Sequence, residues 1–171
     1  MGMITILAFV IPLMFQGMFN EQGTIRVYAD PEYAGYMWNA CEEWNSAVNV
    51  FEPTPDETSA DVVISSGYER IGAYAFATTD GRILINEDEW KKASHDQKVQ
   101  IVIHEMGHEA GLHHSEGKND DDSVMYKVVF GRKIAKRDKE IFKKYYKKRF
   151  GNKMYKKRTR KKAKKCKKRK R

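Results

Sequence analysis

The chain has 171 residues, with 32 lysines and arginines against 23 aspartates and glutamates, and this length suits one domain with a buried core. Residues 132–171 hold 24 of the basic residues and only two acidic ones, so an acidic body of formal charge −13 carries a basic tail of +22. The only two cysteines, Cys41 and Cys166, exclude a fold built on a disulfide framework.

The N-terminal segment, residues 1–23, contains an almost wholly apolar run over residues 3–15. This run suits the core of a secretory signal and is too short for a stable membrane span, which takes about 20 residues. No lysine or arginine precedes it and no clear cleavage site follows, so a signal peptide or weak anchor, a buried segment and a misplaced start codon stay open. A signal would make the protein secreted or extracellular; otherwise it is cytoplasmic or virion-associated.

The next segments alternate between strand and helix. Residues 24–29 alternate in polarity and favour a strand, and apolar residues at three- and four-residue spacing over 31–48 predict an amphipathic helix. Residues 52–59 contain two prolines and are predicted to form a loop, whereas the apolar run 60–65 favours a buried strand. The β-α-β order predicts that the two strands are parallel.

A hairpin and a central helix follow. Residues 72–77 and 82–86 read as short strands, and the Asp80-Gly81 pair between them is typical of a β-hairpin turn. Ser94, with a glutamine three residues later, forms a capping-box pattern that begins the central helix.

The C-terminal part divides into a helix and a basic tail. Apolar side chains over residues 134–150 recur on one face with lysines opposite, which predicts a helix packed on the body. Residues 151–171 have little to bury and are predicted to be disordered in isolation. Such a tail binds nucleic acid or another polyanion through counterion release, serves only solubility, or folds back on the acidic body.

The stretch 104–114, His-Glu-Met-Gly-His-Glu-Ala-Gly-Leu-His-His, carries the chemistry. His104 and His108 lie on one face of a helix, and the glycine after them can end the helix so that His114 reaches the same ion. Three histidines with one open coordination position are typical of a catalytic zinc site. Glu105, beside the first ligand, is the candidate general base that takes a proton from zinc-activated water.

The pattern His-Glu-x-x-His-x-x-Gly-x-x-His, followed by a methionine in a turn, resembles the metzincins. Within them, Ser115 after the third histidine and the Met125-Tyr126 pair are most similar to the matrixins, the matrix-metalloproteinase group. Further segments similar to matrixin sequences, in the same order, are Trp44-Asn45, 60–64, 73–77 and 86–89.

The resemblance covers roughly residues 24–150 and implies an α+β zincin fold. In that fold a twisted mixed β-sheet with an antiparallel edge strand packs on a first helix and a central zinc-binding helix, with a helix at the C-terminus. The site residues it implies are zinc ligands His104, His108 and His114, catalytic Glu105, and Met125 beneath the metal. The edge strand, residues 73–77, would bind an extended peptide by strand addition.

Three departures from the matrixin pattern change the expectations. Tyr74 and Leu84 stand where matrixins have histidines of a second, structural zinc, so we expect a single zinc ion. The acidic turn at residues 86–89 keeps only part of the calcium-binding pattern, so calcium binding and a plain solvated loop both stay open. The loop before Met125 is long, and Lys127 replaces a proline, which alters the expected specificity pocket.

These features predict a monomeric zinc-dependent endopeptidase that acts on protein or peptide and is tethered to polyanions by residues 151–171. An alternative is a nucleic-acid or polyanion-binding protein on a zincin scaffold with little peptidase activity. A third hypothesis keeps the chemistry but changes the substrate, for example to a cell-wall peptide crosslink. The joint presence of base, ligands and methionine turn favours an enzyme, because a binding scaffold needs none of them.

Overall fold

The computed structural model describes residues 17–70, 72–115, 122–126 and 134–168, with side chains as far as Thr159. Within these ranges no helix has the length and apolar character needed to cross a membrane. The apolar run over residues 3–15 and Lys127 lie outside the described residues.

One mixed sheet forms the centre of the fold. Its strands are β1 (Ile25–Ala29), β2 (Phe51–Pro53), β3 (Val62–Ser66), β4 (Ala75–Ala77) and β5 (Arg82–Ile85), in the order β2-β1-β3-β5-β4. β1 is parallel to β2 and β3, and β3 to β5, whereas β4 is antiparallel to β5. The predicted α+β class, mixed sheet, parallel β1–β3 pair and antiparallel edge strand are therefore confirmed.

Within the described residues, four α-helices and a short 3-10 helix (Glu57–Ser59) accompany the sheet. The α-helices are α1 (Ala34–Asn45), α2 (Glu87–Lys92), α3 (His95–Glu109) and α4 (Lys136–Lys168). α1 packs on α3, and the indole Nε1 of Trp44 donates to the carbonyl oxygen of Ile103 at 2.8 Å. The side chain of Ser94 accepts the Gln97 N–H in the capping box that the sequence predicts. Residues 101–109 of α3, the central helix, are buried, so its C-terminal part lies against the core.

β2 overlaps the region, residues 52–59, for which the sequence predicts a loop. Residues 51–53 instead pair in parallel with β1, at the sheet edge, where the missing N–H of Pro53 is tolerated. The side chain of Asn45 accepts the N–H groups of Val50 and Phe51 and donates to the Phe51 carbonyl oxygen at 2.8 Å. A side chain from another element thus fixes this short strand, which periodicity over three residues cannot reveal.

The chain beyond Gly151 is helical in the structure, and its predicted disorder in isolation stays a prediction. Gly151 has a φ of 74° and a ψ of 169°, which breaks α4, and the backbone is helical again as far as Lys168. We call residues 152–168 the basic arm. Arg158 is buried and Met154 and Tyr155 are half-buried against the core, so the first turns of the arm have packing partners that the composition does not reveal.

Candidate metal centre

Three histidine side chains converge at the C-terminal end of α3. His104 and His108 lie one turn apart, and Gly111, with a φ of 84°, turns the chain so that His114 comes back to them. The three Nε2 atoms are 3.1 Å apart in each pair. Three nitrogens bound about 2.0–2.1 Å from one tetrahedral zinc ion would lie about 3.3 Å apart. The spacing therefore fits a metal ion, which would relieve the repulsion between three converging lone pairs.

Backbone carbonyl groups orient two of these rings. Nδ1 of His104 is 2.7 Å from the Val124 oxygen, and Nδ1 of His108 is 2.8 Å from the Leu112 oxygen. A carbonyl oxygen only accepts, so each Nδ1 carries the proton and each Nε2 presents its lone pair to the centre. Burial lowers the pKa of His104 to about 4 and that of His108 to about 3, so both are neutral at pH 7, as metal ligation requires.

Glu105 lies between α3 and the edge strand. Its Oε2 accepts the N–H of Ala77, in β4, at 2.9 Å. Burial raises the pKa of Glu105 to about 7, against the opposing effect of that N–H, and a bound cation would lower it. Glu109, one turn later, is also buried, and burial followed by the charges of Glu105 and Asp80 raises its pKa to about 9. The sequence predicts the position of Glu105 but neither the Ala77 contact nor the burial of Glu109.

Met125 packs against α3 at a glycine. A Cβ atom on Gly107 would overlap the Met125 sulfur and would lie 3.0 Å from the ring of Trp44. Met125 is 3% exposed. A glycine is therefore required between the first two histidines, because any side chain at residue 107 would overlap the methionine that packs below the helix.

Asp138, on α4, holds the turn that carries Met125. Its carboxylate accepts the hydroxyl of Ser123, the N–H of Val124 at 3.0 Å and the N–H of Ala135 at 2.9 Å. The sequence predicts the helix that carries Asp138 but not these contacts. In the structure it fixes the segment whose Val124 carbonyl orients His104, so α4 supports the metal centre through backbone atoms.

The sequence matches the model of a known protein family. The family model for matrixin peptidases (Peptidase_M10) matches residues 37–147, which is more than half of the chain and includes the three histidines, Glu105 and Met125. No curated protein matches the sequence.

Proposed function

The chain belongs to the matrixin family of metallopeptidases, and on that premise we propose that it is a zinc-dependent endopeptidase whose metal ligands are His104, His108 and His114 and whose general base is Glu105. The observation that carries the proposal is the convergence of three Nε2 atoms, 3.1 Å apart, beside a buried carboxylate. When bound, the zinc ion supplies a Lewis acid and lowers the pKa of water toward about 7. Its substrates are proteins or peptides.

Glu105 performs the proton transfers in this proposal. Its carboxylate accepts the proton of the attacking water and returns it to the leaving amine. The Ala77 N–H holds the carboxylate between α3 and β4, and burial raises its pKa, which makes the carboxylate a stronger base, whereas a bound cation opposes this effect.

The edge strand supports an endopeptidase in particular. β4 is last in the sheet order and pairs only with β5 among the described strands, so one of its edges is left for an extended substrate. Strand addition binds a peptide through its backbone and lets the chain continue in both directions. Ala77, in this strand, connects the substrate edge directly to Glu105.

The test compares the wild type with Glu105→Ala on casein and quenched peptides, with and without a zinc chelator. We expect a loss of about 10²–10⁴-fold in kcat, because proton transfer is removed while the three histidines remain to bind zinc. Glu87→Ala, an exposed acid in α2, is the matched control and should keep full activity. Equal activity in wild type and Glu105→Ala would refute the mechanism and favour the alternative of a binding protein on a zincin scaffold.

We also propose that residues 151–171 tether the peptidase to a polyanion. The proposal is supported by the separation of an acidic body from a basic tail and by the exposure of Lys153, Lys156 and Lys157. Deleting residues 152–171 should abolish salt-sensitive retention on heparin and DNA columns. Unchanged retention of the truncated protein would refute tethering.

For the acidic turn at residues 86–89 we propose a helix-capping role rather than calcium binding. The Asn86 side-chain oxygen accepts the N–H groups of Asp88 and Glu89, and the Glu89 carboxylate is 3.0 Å from the Lys92 ammonium. Calcium addition should therefore leave the Tm unchanged. A saturable rise in Tm with calcium would instead identify the turn as a calcium site.

A further inference from the structure

One buried cation fixes the basic arm to the body. Arg158 is 4% exposed, although Lys156 and Lys157 next to it are exposed. Its Nη1 donates to Oε1 of Glu52, on β2, at 3.0 Å, and its Nη2 donates to the carbonyl oxygen of Gln22 at 2.9 Å. The arm is therefore attached to the edge of the sheet and to the segment that precedes β1.

An aromatic cluster strengthens this attachment just before the arm begins. The ring of Phe19 packs edge-on against Tyr146 and Phe150, with centroid distances of 5.6 and 5.0 Å. The Tyr146 hydroxyl donates to the Gly23 oxygen at 2.8 Å. The segment before β1 thus packs against the part of α4 that precedes Gly151, and the arm starts from a fixed point.

This inference rests on the tethering role proposed above. We propose that the basic arm is a preformed helix that binds double-stranded nucleic acid, and that Arg158 is the positioning residue that holds it ready through Glu52. Because the arm is already helical and attached, binding does not have to order it, which is the cost that a disordered tail would incur.

The distribution of charge on the arm favours a duplex. Seven of the nine residues from 160 to 168 are lysine or arginine. Successive helix positions are rotated by about 100°, so basic positions lie on every side of the helix. The major groove of a duplex admits an α-helix and offers phosphates on both walls, whereas a single polysaccharide chain meets one side at a time. The same residues include no large apolar side chain, so the arm lacks the apolar face of a membrane-surface helix.

The arm attaches to the body at the sheet edge opposite the substrate edge. Glu52 lies on β2 and Ala77 on β4, at opposite edges of the five-stranded sheet. Four steps of about 4.8 Å place these edges about 19 Å apart. The point where Arg158 attaches the arm to Glu52 is therefore separate from the edge where a peptide would add.

The first test replaces two acidic residues, and the two replacements are expected to change the affinity for a DNA duplex in opposite directions. Binding of the full chain to a short labelled DNA duplex is measured by fluorescence anisotropy. If charge alone matters, Glu52→Ala and Glu57→Ala both make the body less acidic and both tighten binding. Glu57 is exposed, and we expect Glu57→Ala to tighten binding by less than about twofold. We expect Glu52→Ala to weaken it by about threefold or more, because Arg158 loses its partner.

A second pair of variants removes one positive charge each. Lys157→Gln removes an exposed cation and should lower the slope of log affinity against log salt by about one. Arg158→Gln removes a buried cation that cannot contact phosphate, so it should reduce affinity more than Lys157→Gln while changing the slope less. Thermal melts confirm that each variant is folded.

The outcomes separate the proposals. If Glu52→Ala binds as tightly as Glu57→Ala, or if Arg158→Gln and Lys157→Gln are equivalent, the arm acts as a mobile tail and the inference is wrong. Tighter binding to a heparin fragment of equal charge than to the duplex would overturn the assigned partner. Deletion of residues 152–171 tests tethering independently, and none of these measurements depends on peptide hydrolysis.

Discussion

Asp138 connects α4 to the metal centre, and replacing it by alanine should weaken zinc binding as well as the fold. The side chain is 2% exposed and accepts hydrogen bonds from Ser123, Val124 and Ala135. Alanine leaves three donors without this acceptor, and each unsatisfied donor costs about 1–3 kcal/mol. After relaxation of the surrounding residues, we expect the free energy of unfolding to fall by about 3–5 kcal/mol. Since the Val124 carbonyl orients His104, zinc affinity should fall by about 10–100-fold.

The assay measures the two effects separately. Urea unfolding of the metal-free protein gives the stability change, and competition with a chromophoric chelator, under conditions where both proteins are folded, gives zinc affinity. Asp138→Asn keeps one acceptor oxygen, so its stability and its zinc affinity should both fall less than those of Asp138→Ala. Asp122→Ala removes an exposed carboxylate beside the same turn and should change neither by more than about 0.5 kcal/mol. Folded Asp138→Ala with wild-type zinc affinity would refute the link from Asp138 through Val124 to His104.

His108→Ala should remove one of three ligands and abolish the rise in Tm that zinc gives the wild type; a persisting rise would contradict the ligand assignment. Gly107→Ala should lower the free energy of unfolding in urea by about 1–3 kcal/mol, because the added Cβ overlaps the Met125 sulfur. This cost exceeds the gain of about 1 kcal/mol that alanine brings to a helix. A variant more stable than the wild type would show that Met125 moves aside and would contradict the steric reason for Gly107. Burial raises the pKa of Cys41 to about 12, so native protein at about pH 8 should hold its thiol protonated, and mass spectrometry should find Cys41 alkylated only in urea.

The elements that the sequence predicts are those with a local signal. β1 and β3 have alternating or continuous apolar residues, and the β4–β5 hairpin has an Asp80-Gly81 turn. β2 and the basic arm lack such a signal because tertiary partners determine them. Asn45 reaches across to fix Phe51, and Arg158 finds Glu52 more than one hundred residues earlier in the chain. Charge and composition describe the arm correctly as basic but say nothing about a buried partner.

The candidate site also has parts that the sequence predicts and parts that depend on tertiary contacts. Helical spacing predicts that His104 and His108 share a face, and Gly111 predicts the return of the chain to His114. The groups that hold these rings are backbone carbonyls and a buried carboxylate, supplied by segments whose path depends on the whole fold. Spacing therefore predicts the candidate ligating side chains, whereas their orientation, and with it the expected affinity for metal, depends on contacts visible only in three dimensions.

If the arm binds a duplex, the separation of charge also affects which substrates the enzyme meets. An acidic body alone would be repelled from a polyanion, and the proposed arm overcomes this at the β2 edge, far from Ala77 and Glu105. Proteins bound to the same duplex would then reach the β4 edge at a raised effective concentration, while the chemistry at Glu105 stays unchanged. Tethering of this kind selects substrates by their location on the duplex, which suits a strand-adding edge that binds peptide backbone and reads little of the side-chain sequence.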